Sequence, residues 1–91
     1  MYDIDYQSRF KKDIKRCEKQ GLDIEKFKTL AGLLKNGLSL PKKYLDHPLS
    51  GNLSGYRDCH LEPDWLVIYK VDKKEKTITL VRTGSHAELF K

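Results

Sequence analysis

The tightest restriction on the fold comes from the C-terminal half, where three strand-like runs follow one another too closely for any pairing but antiparallel. Tyr56–Leu61, Trp65–Lys70 and Thr77–Thr83 are rich in aromatic and β-branched residues. The first two are joined by Glu62-Pro63-Asp64-Trp65, with Pro63 at the second position of a tight turn, and the next two by the charged stretch Asp72–Lys76. Parallel pairing needs a crossover of a dozen or more residues, and neither connection is long enough.

The N-terminal half reads differently. Tyr2, Ile4 and Tyr6 alternate with polar residues, which predicts a short first strand. Ser8 is the expected N-cap of a helix whose apolar side is Phe10, Ile14 and Cys17, and Gly21 ends it. Lys11, Lys12, Lys15, Arg16 and Lys19 cover its other side. A second helix begins at an Asp23 cap, with Leu22 and Phe27 as a hydrophobic staple. It buries Phe27, Leu30, Ala31 and Leu34, and Gly37 stops it. From Leu38 to Gly55 no period is sustained, so a long loop is expected there. Residues Ser85 to Lys91 have the composition of one final helical turn. The expectation is a single α+β domain over residues 1–91 in the order βααβββ, with two N-terminal helices packed on an antiparallel sheet.

A register for the hairpin follows if Glu62 pairs with Trp65. Leu61 then faces Leu66, His60 faces Val67 and Cys59 faces Ile68. Cys59, Leu61, Leu66 and Ile68 would meet the helices, leaving Tyr56, Asp58, His60, Trp65 and Tyr69 on the open face. A slip of one residue would reverse this assignment. The last strand resists such a reading, because its alternation groups Arg82 with Ile78 and Leu80.

A chain of 91 residues with 38% hydrophobic content supports one modest core, so an active site is expected as a shallow surface on the sheet. Eighteen Lys and Arg against thirteen Asp and Glu give a formal charge of +5, which favours an anionic partner such as nucleic acid, an acidic protein or a membrane surface. Two cysteines, Cys17 and Cys59, make no disulfide framework and read as buried thiols. There is no membrane-spanning run, and Met1–Asp5 has no signal-peptide pattern, so a cytoplasmic location and no membrane partner are expected.

All three histidines, His47, His60 and His86, lie in the C-terminal half with Asp64, Arg82 and the aromatic residues Tyr56, Trp65 and Phe90. Imidazole titrates near neutrality and can both take and give a proton. Cleavage of RNA by its own 2′-hydroxyl needs a base there, an acid at the leaving 5′ oxygen and a cation at the phosphate. The set contains each of these residue types, and a placed acid or base contributes about 10²–10⁴-fold. Each residue also has an ordinary structural use: His47 as a loop spacer before Pro48, His60 as a half-exposed sheet residue, Asp64 in its turn, His86 as a cap, Arg82 in an ion pair. A zinc site is the rival use of the same side chains, but the chain has no His-x-x-x-His or Cys-x-x-Cys spacing, so no metal is expected. Trp65 and Tyr56 can stack bases and Lys11, Lys12, Lys15 and Arg16 can touch phosphates.

Three segments carry a resemblance: Asp46-His47-Pro48-Leu49-Ser50-Gly51, Gly55-Tyr56-Arg57-Asp58-Cys59-His60-Leu61-Glu62-Pro63-Asp64-Trp65, and Arg82-Thr83-Gly84-Ser85-His86-Ala87-Glu88-Leu89-Phe90. In this order they resemble the YafQ toxins, a branch of the RelE/ParE superfamily of type II toxin–antitoxin systems. The resemblance implies a RelE-like fold and a ribosome-dependent endoribonuclease, an mRNA interferase. Such an enzyme cuts mRNA in the ribosomal A site, leaving a cyclic phosphate and a 5′ hydroxyl, without metal or other cofactor. Catalytic positions carried over are His47, His60, Asp64, Arg82 and His86, with the terminal aromatic at Phe90. On that pattern His60 or His47 is the base, Asp64 or His86 the acid and Arg82 the stabiliser of phosphate charge, while Trp65 and Phe90 hold bases. The resemblance also implies an acidic antitoxin partner, through which the complex contacts operator DNA. Two alternatives remain beside it: a ParE-like toxin that binds a protein target such as gyrase, and a non-catalytic basic RNA-binding domain.

Overall fold

The computed structural model describes residues 1–37 and 39–90. Strand β1 (Asp3–Tyr6) leads into helices α1 (Ser8–Lys19) and α2 (Ile24–Lys35). A two-residue strand β2 (His47–Pro48), strands β3 (Arg57–Glu62), β4 (Trp65–Asp72) and β5 (Thr77–Gly84), and a last turn of helix α3 (His86–Leu89) complete the chain. The α+β class and the βααβββ backbone of the expectation hold, the expected final helical turn is present as α3, and β2 is added.

The sheet is mixed rather than antiparallel. Its order is β1-β5-β4-β3-β2, and β1 runs parallel to β5, with Asp3 opposite Thr77 and Tyr6 opposite Leu80. Short turns fix the sense of the β3–β4–β5 meander only. β1 pairs with a strand distant in sequence, so no connection dictated its direction.

Asp23 caps α2 as expected, its carboxylate accepting the Glu25 N–H at 3.0 Å. Ser8 does not cap α1: the helix begins at Ser8, and Gln7 occupies the cap position without a side-chain bond. The stretch expected as an unbroken loop contains two 3-10 turns, Lys42–Tyr44 and Gly51–Leu53, besides β2. Leu38, where that loop was expected to start, and Lys91, at the end of the expected final turn, lie outside the described residues.

Two β-bulges decide which side chains face which way. Glu62 pairs with Trp65 as expected, but His60 pairs with Leu66, so Leu61 is an extra residue on β3. The faces of β4 are therefore exchanged relative to the regular register. Trp65, Val67 and Tyr69 join Cys59, Ile78 and Leu80 against Phe10, Cys17, Phe27, Leu30 and Leu34 of the helices. Leu66 and Ile68, though buried, alternate to the opposite face with Asp58 and His60. The second bulge sets Tyr69 opposite Leu80 but Ile68 opposite Arg82, making Val81 the extra residue. That resolves the conflict along β5: Ile78 and Leu80 face the core, and Arg82 leaves their alternation and reaches Asp13 of α1.

Candidate active site

The bulged sheet gathers the histidines. Across β2, β3, β4 and β5, His47, Asp58, Ile68 and Arg82 stand in one row. His47 Nδ1 lies 2.8 Å from the Leu45 carbonyl and 3.3 Å from Asp58 Oδ1. His60, two residues along β3 on the same face, has Nε2 3.8 Å from that same oxygen. Its Nδ1 is buried without a hydrogen-bond partner among the described residues.

Asp58 is the residue that reading the sequence left without a role. It is buried, and its Oδ1 accepts no hydrogen bond among the described residues, standing only at ion-pair range from two imidazoles. Burial pushes its carboxyl above the ordinary value, against the opposing pull of His47, His60 and His86. A signal was available: Asp58 and His60 are two apart on one strand and so share a face.

His86 arrives from the other end of the chain. Gly84 ends β5 at φ +156, and a Cβ there would meet Arg16 Nη2 at 2.5 Å and Glu88 Oε1 at 2.9 Å. The capping box of Ser85 and Glu88 then starts α3. This places His86 over the β3–β4 turn, where Asp64 Oδ1 accepts from the His86 backbone N–H at 2.9 Å and lies 2.6 Å from its Nδ1. The backbone N–H first, and then the ring, hold the Asp64 carboxyl below the usual range. The His60 and His86 rings stand 5.5 Å apart, and Phe90, 40% exposed, lies 6.4 Å beyond His86. Nδ1 of His47 is turned to a carbonyl and Nδ1 of His86 to a carboxylate, and neither ring's Nε2 has a hydrogen-bond partner among the described residues.

Arg82 belongs to a separate network. Its Nε donates to Asp13 Oδ2 at 2.6 Å, and the Thr83 N–H donates to the same oxygen at 3.2 Å. Burial raises the Asp13 carboxyl, but the hydrogen bonds from Arg82 and Arg16 outweigh it and hold the group low. Arg16 was expected at an RNA phosphate. Instead it is tied to Asp13 at 2.8 Å, to the Thr83 carbonyl at 2.8 Å and to Glu88 at 3.0 Å, which clamps α3 to α1.

Other expected RNA contacts divide. Trp65 is 1% exposed and lies in the core, its Nε1 donating to Thr83 Oγ1 at 2.9 Å, so it presents no ring face to a base. The bulge at Leu61 is the cause. Tyr56 is half-buried, with Lys70 Nζ 5.7 Å from its ring centre. Lys11, Lys12 and Lys15 are exposed on α1, whose buried side packs against the sheet.

One further pair fastens the site. Tyr69 donates its hydroxyl to Asp46, and Arg57 Nη2 donates to the other carboxylate oxygen at 2.8 Å. Asp46 immediately precedes His47, so this link holds the β2 segment to the sheet.

Among the described residues no helix is long and apolar enough to cross a membrane. Residues 2–91 match the family described as the bacterial toxin of type II toxin–antitoxin system, YafQ. The chain is 48% identical over 89 residues to the mRNA interferase toxin YafQ of Escherichia coli strain K12, covering 97% of this chain and 95% of that one. It superposes on the crystal structure of YafQ from E. coli BL21(DE3) with a TM-score of 0.93 at 46% identity, covering all of both chains. A crystal structure of the E. coli DinJ–YafQ toxin–antitoxin complex matches with a TM-score of 0.89 at 47% identity, over 99% of this chain and 98% of that one. The chain belongs to the YafQ family of toxins of bacterial type II toxin–antitoxin systems.

Proposed function

We propose that this protein is an endoribonuclease that cleaves translated mRNA on the ribosome by metal-independent acid–base catalysis. The observation that carries the reading is the facing pair His60 and His86, 5.5 Å apart, with the Nδ1 of His86 held by Asp64. Two imidazoles this close can both reach one phosphodiester laid across them. His60, with His47 across Asp58, takes the proton from the 2′-hydroxyl, and the alkoxide attacks phosphorus. The bond from phosphorus to the 5′ oxygen breaks as His86 delivers a proton to that oxygen. The products are a 2′,3′-cyclic phosphate and a 5′ hydroxyl, with no water consumed. Arg82, positioned by Asp13, offsets the charge that builds on the pentacovalent phosphate. Phe90 gives an exposed ring for a base beside the site.

An acidic antitoxin is the proposed partner, with operator DNA reached only through that complex. The homologous complex with DinJ and the +5 charge of this chain support it. The proposed location is the cytoplasm, where translating ribosomes are.

The test is primer extension on a reporter mRNA after induction of this chain, beside a His86→Ala version. Discrete new 5′ ends within translated codons, absent from the variant and from untranslated message, are expected. Arrested growth over intact message would instead favour a ParE-like protein target. Toxicity retained in a His60→Ala, His86→Ala double variant would favour a non-catalytic RNA-binding domain.

A further inference from the structure

A groove of about 530 Å³ opens beside the histidine cluster, between α2, the 3-10 turn before β2 and the β3–β4 turn. His60 lines it, so the groove is continuous with the proposed catalytic surface. Leu45, Leu61 and Pro63 supply apolar walls, and Lys26, Lys43 and Glu62 supply charge. The lysines are not equivalent. Lys26 donates to Glu62 Oε2 at 3.1 Å, whereas Lys43 lies over the Tyr44 ring at 5.4 Å and has no carboxylate partner among the described residues.

We infer that this groove seats one nucleotide of the RNA flanking the scissile phosphate, and that it sets the sequence preference of cleavage. The inference rests on the nuclease reading above and adds a specificity site to it. Three properties of the groove support this occupant. An RNA strand whose phosphate lies at His60 must continue over the adjoining surface, and the groove that His60 lines is a concave part of it. The volume falls in the range of small-ligand sites, about 300–1,000 Å³. Its chemistry also matches a nucleotide: apolar walls for the faces of an unstacked base, an ammonium with no carboxylate partner among the described residues for a phosphate, and a carboxylate–ammonium pair for a base edge. The backbone shapes the opening, because Leu45 adopts a left-handed conformation at φ 51 and is 59% exposed at the rim.

The experiment is to map cleavage sites across a reporter mRNA in a reconstituted translation reaction, for the wild-type protein, Lys43→Gln and Thr29→Phe. Thr29 sits on α2 at the groove wall, so phenylalanine there fills the space, while Lys43 is exposed and its replacement leaves the core untouched. A base-recognition site predicts that the relative use of cut sites changes by about fivefold or more at one position flanking the cut. Superimposable site distributions for both variants would overturn the inference, as would an equal loss at every site. No cutting by the wild-type protein would remove the nuclease reading itself, an outcome told apart because it does not depend on the variants.

Discussion

The His60 and His86 rings meet at 68° with their centres 5.5 Å apart, one carried by β3 and the other by the turn of helix that follows β5. Nothing local joins them; the β3–β4–β5 meander and the capping box at Ser85 bring them together. Separate replacement of either by Ala is therefore expected to lower cleavage by about 10²–10⁴-fold while leaving the fold intact. Single-turnover cleavage, with circular dichroism as the folding control, checks this. The double variant is expected to lose little more than the worse single one, since the two act on one proton-transfer sequence.

Asp58 tests positioning rather than proton transfer. Its folded carboxyl titrates above its unfolded value of 3.8, so the native state holds more protons between those two pH values. Stability contributed by this group falls as pH rises through that window and is not regained above it. Asp58→Asn removes the buried charge, so melting temperature at neutral pH is expected to hold or rise. Activity is expected to fall by about tenfold or more, because no carboxylate then balances a protonated His47 or His60. The low-pH limb of the pH–rate profile should move to lower pH at the same time, because a nearby carboxylate no longer favours the protonated imidazoles. A lower melting temperature with an unshifted profile would mark Asp58 as a purely structural residue.

How far the sequence reached is clearest at Leu61 and Val81. Periodicity located every helix that carries the core and the three main strands, because burial on one face repeats every two or 3.6 residues. A bulge inserts a single residue, and nothing in the residue types around Leu61 announced it. The expected open face therefore contained Trp65 and Tyr69, which the structure buries, and omitted Leu66 and Ile68. The histidines survived this error because His60 lies on the N-terminal side of the bulge. The parallel β1–β5 pair was illegible for a different reason: it depends on a long-range choice of edge that no local pattern encodes. Asp13 and Asp46 were invisible as site-forming residues because their partners, Arg82 and Tyr69, are far away in the chain.

Asp13 joins α1 to β5 through Arg82, Arg16 and the Thr83 N–H. Removing one member of a buried ion pair leaves the others uncompensated, so Asp13→Ala is expected to cost about 3 kcal/mol. Because the folded carboxyl is held below its unfolded value of 3.8, its stabilisation is complete above 3.8 and is lost as pH falls through the folded value. Urea melts across acid pH should show this extra loss in the wild-type protein and its absence in Asp13→Asn.

Tyr69→Phe removes the hydroxyl that ties Asp46 to the sheet while keeping the ring in the core. A hydrogen bond to a charged acceptor contributes about 1.5–3 kcal/mol, so a loss near that size is expected in urea unfolding. Arg57 still holds the other oxygen of Asp46 at 2.8 Å, which should limit the fall in cleavage to less than that of His47→Ala.

Trp65 separates a packing role from an RNA-stacking role. Its ring is buried and its N–H satisfied by Thr83 Oγ1, which in turn donates to the Leu66 carbonyl at 2.7 Å. Trp65→Phe loses that hydrogen bond and leaves unfilled volume, together worth about 2 kcal/mol. For a domain of this size that corresponds to a fall in melting temperature of about 10 °C. Below the transition, cleavage and RNA affinity are expected to match the wild-type values, because the ring has no exposed face to offer. A variant that melts normally but binds RNA weakly would show that β4 opens to expose the indole when substrate arrives.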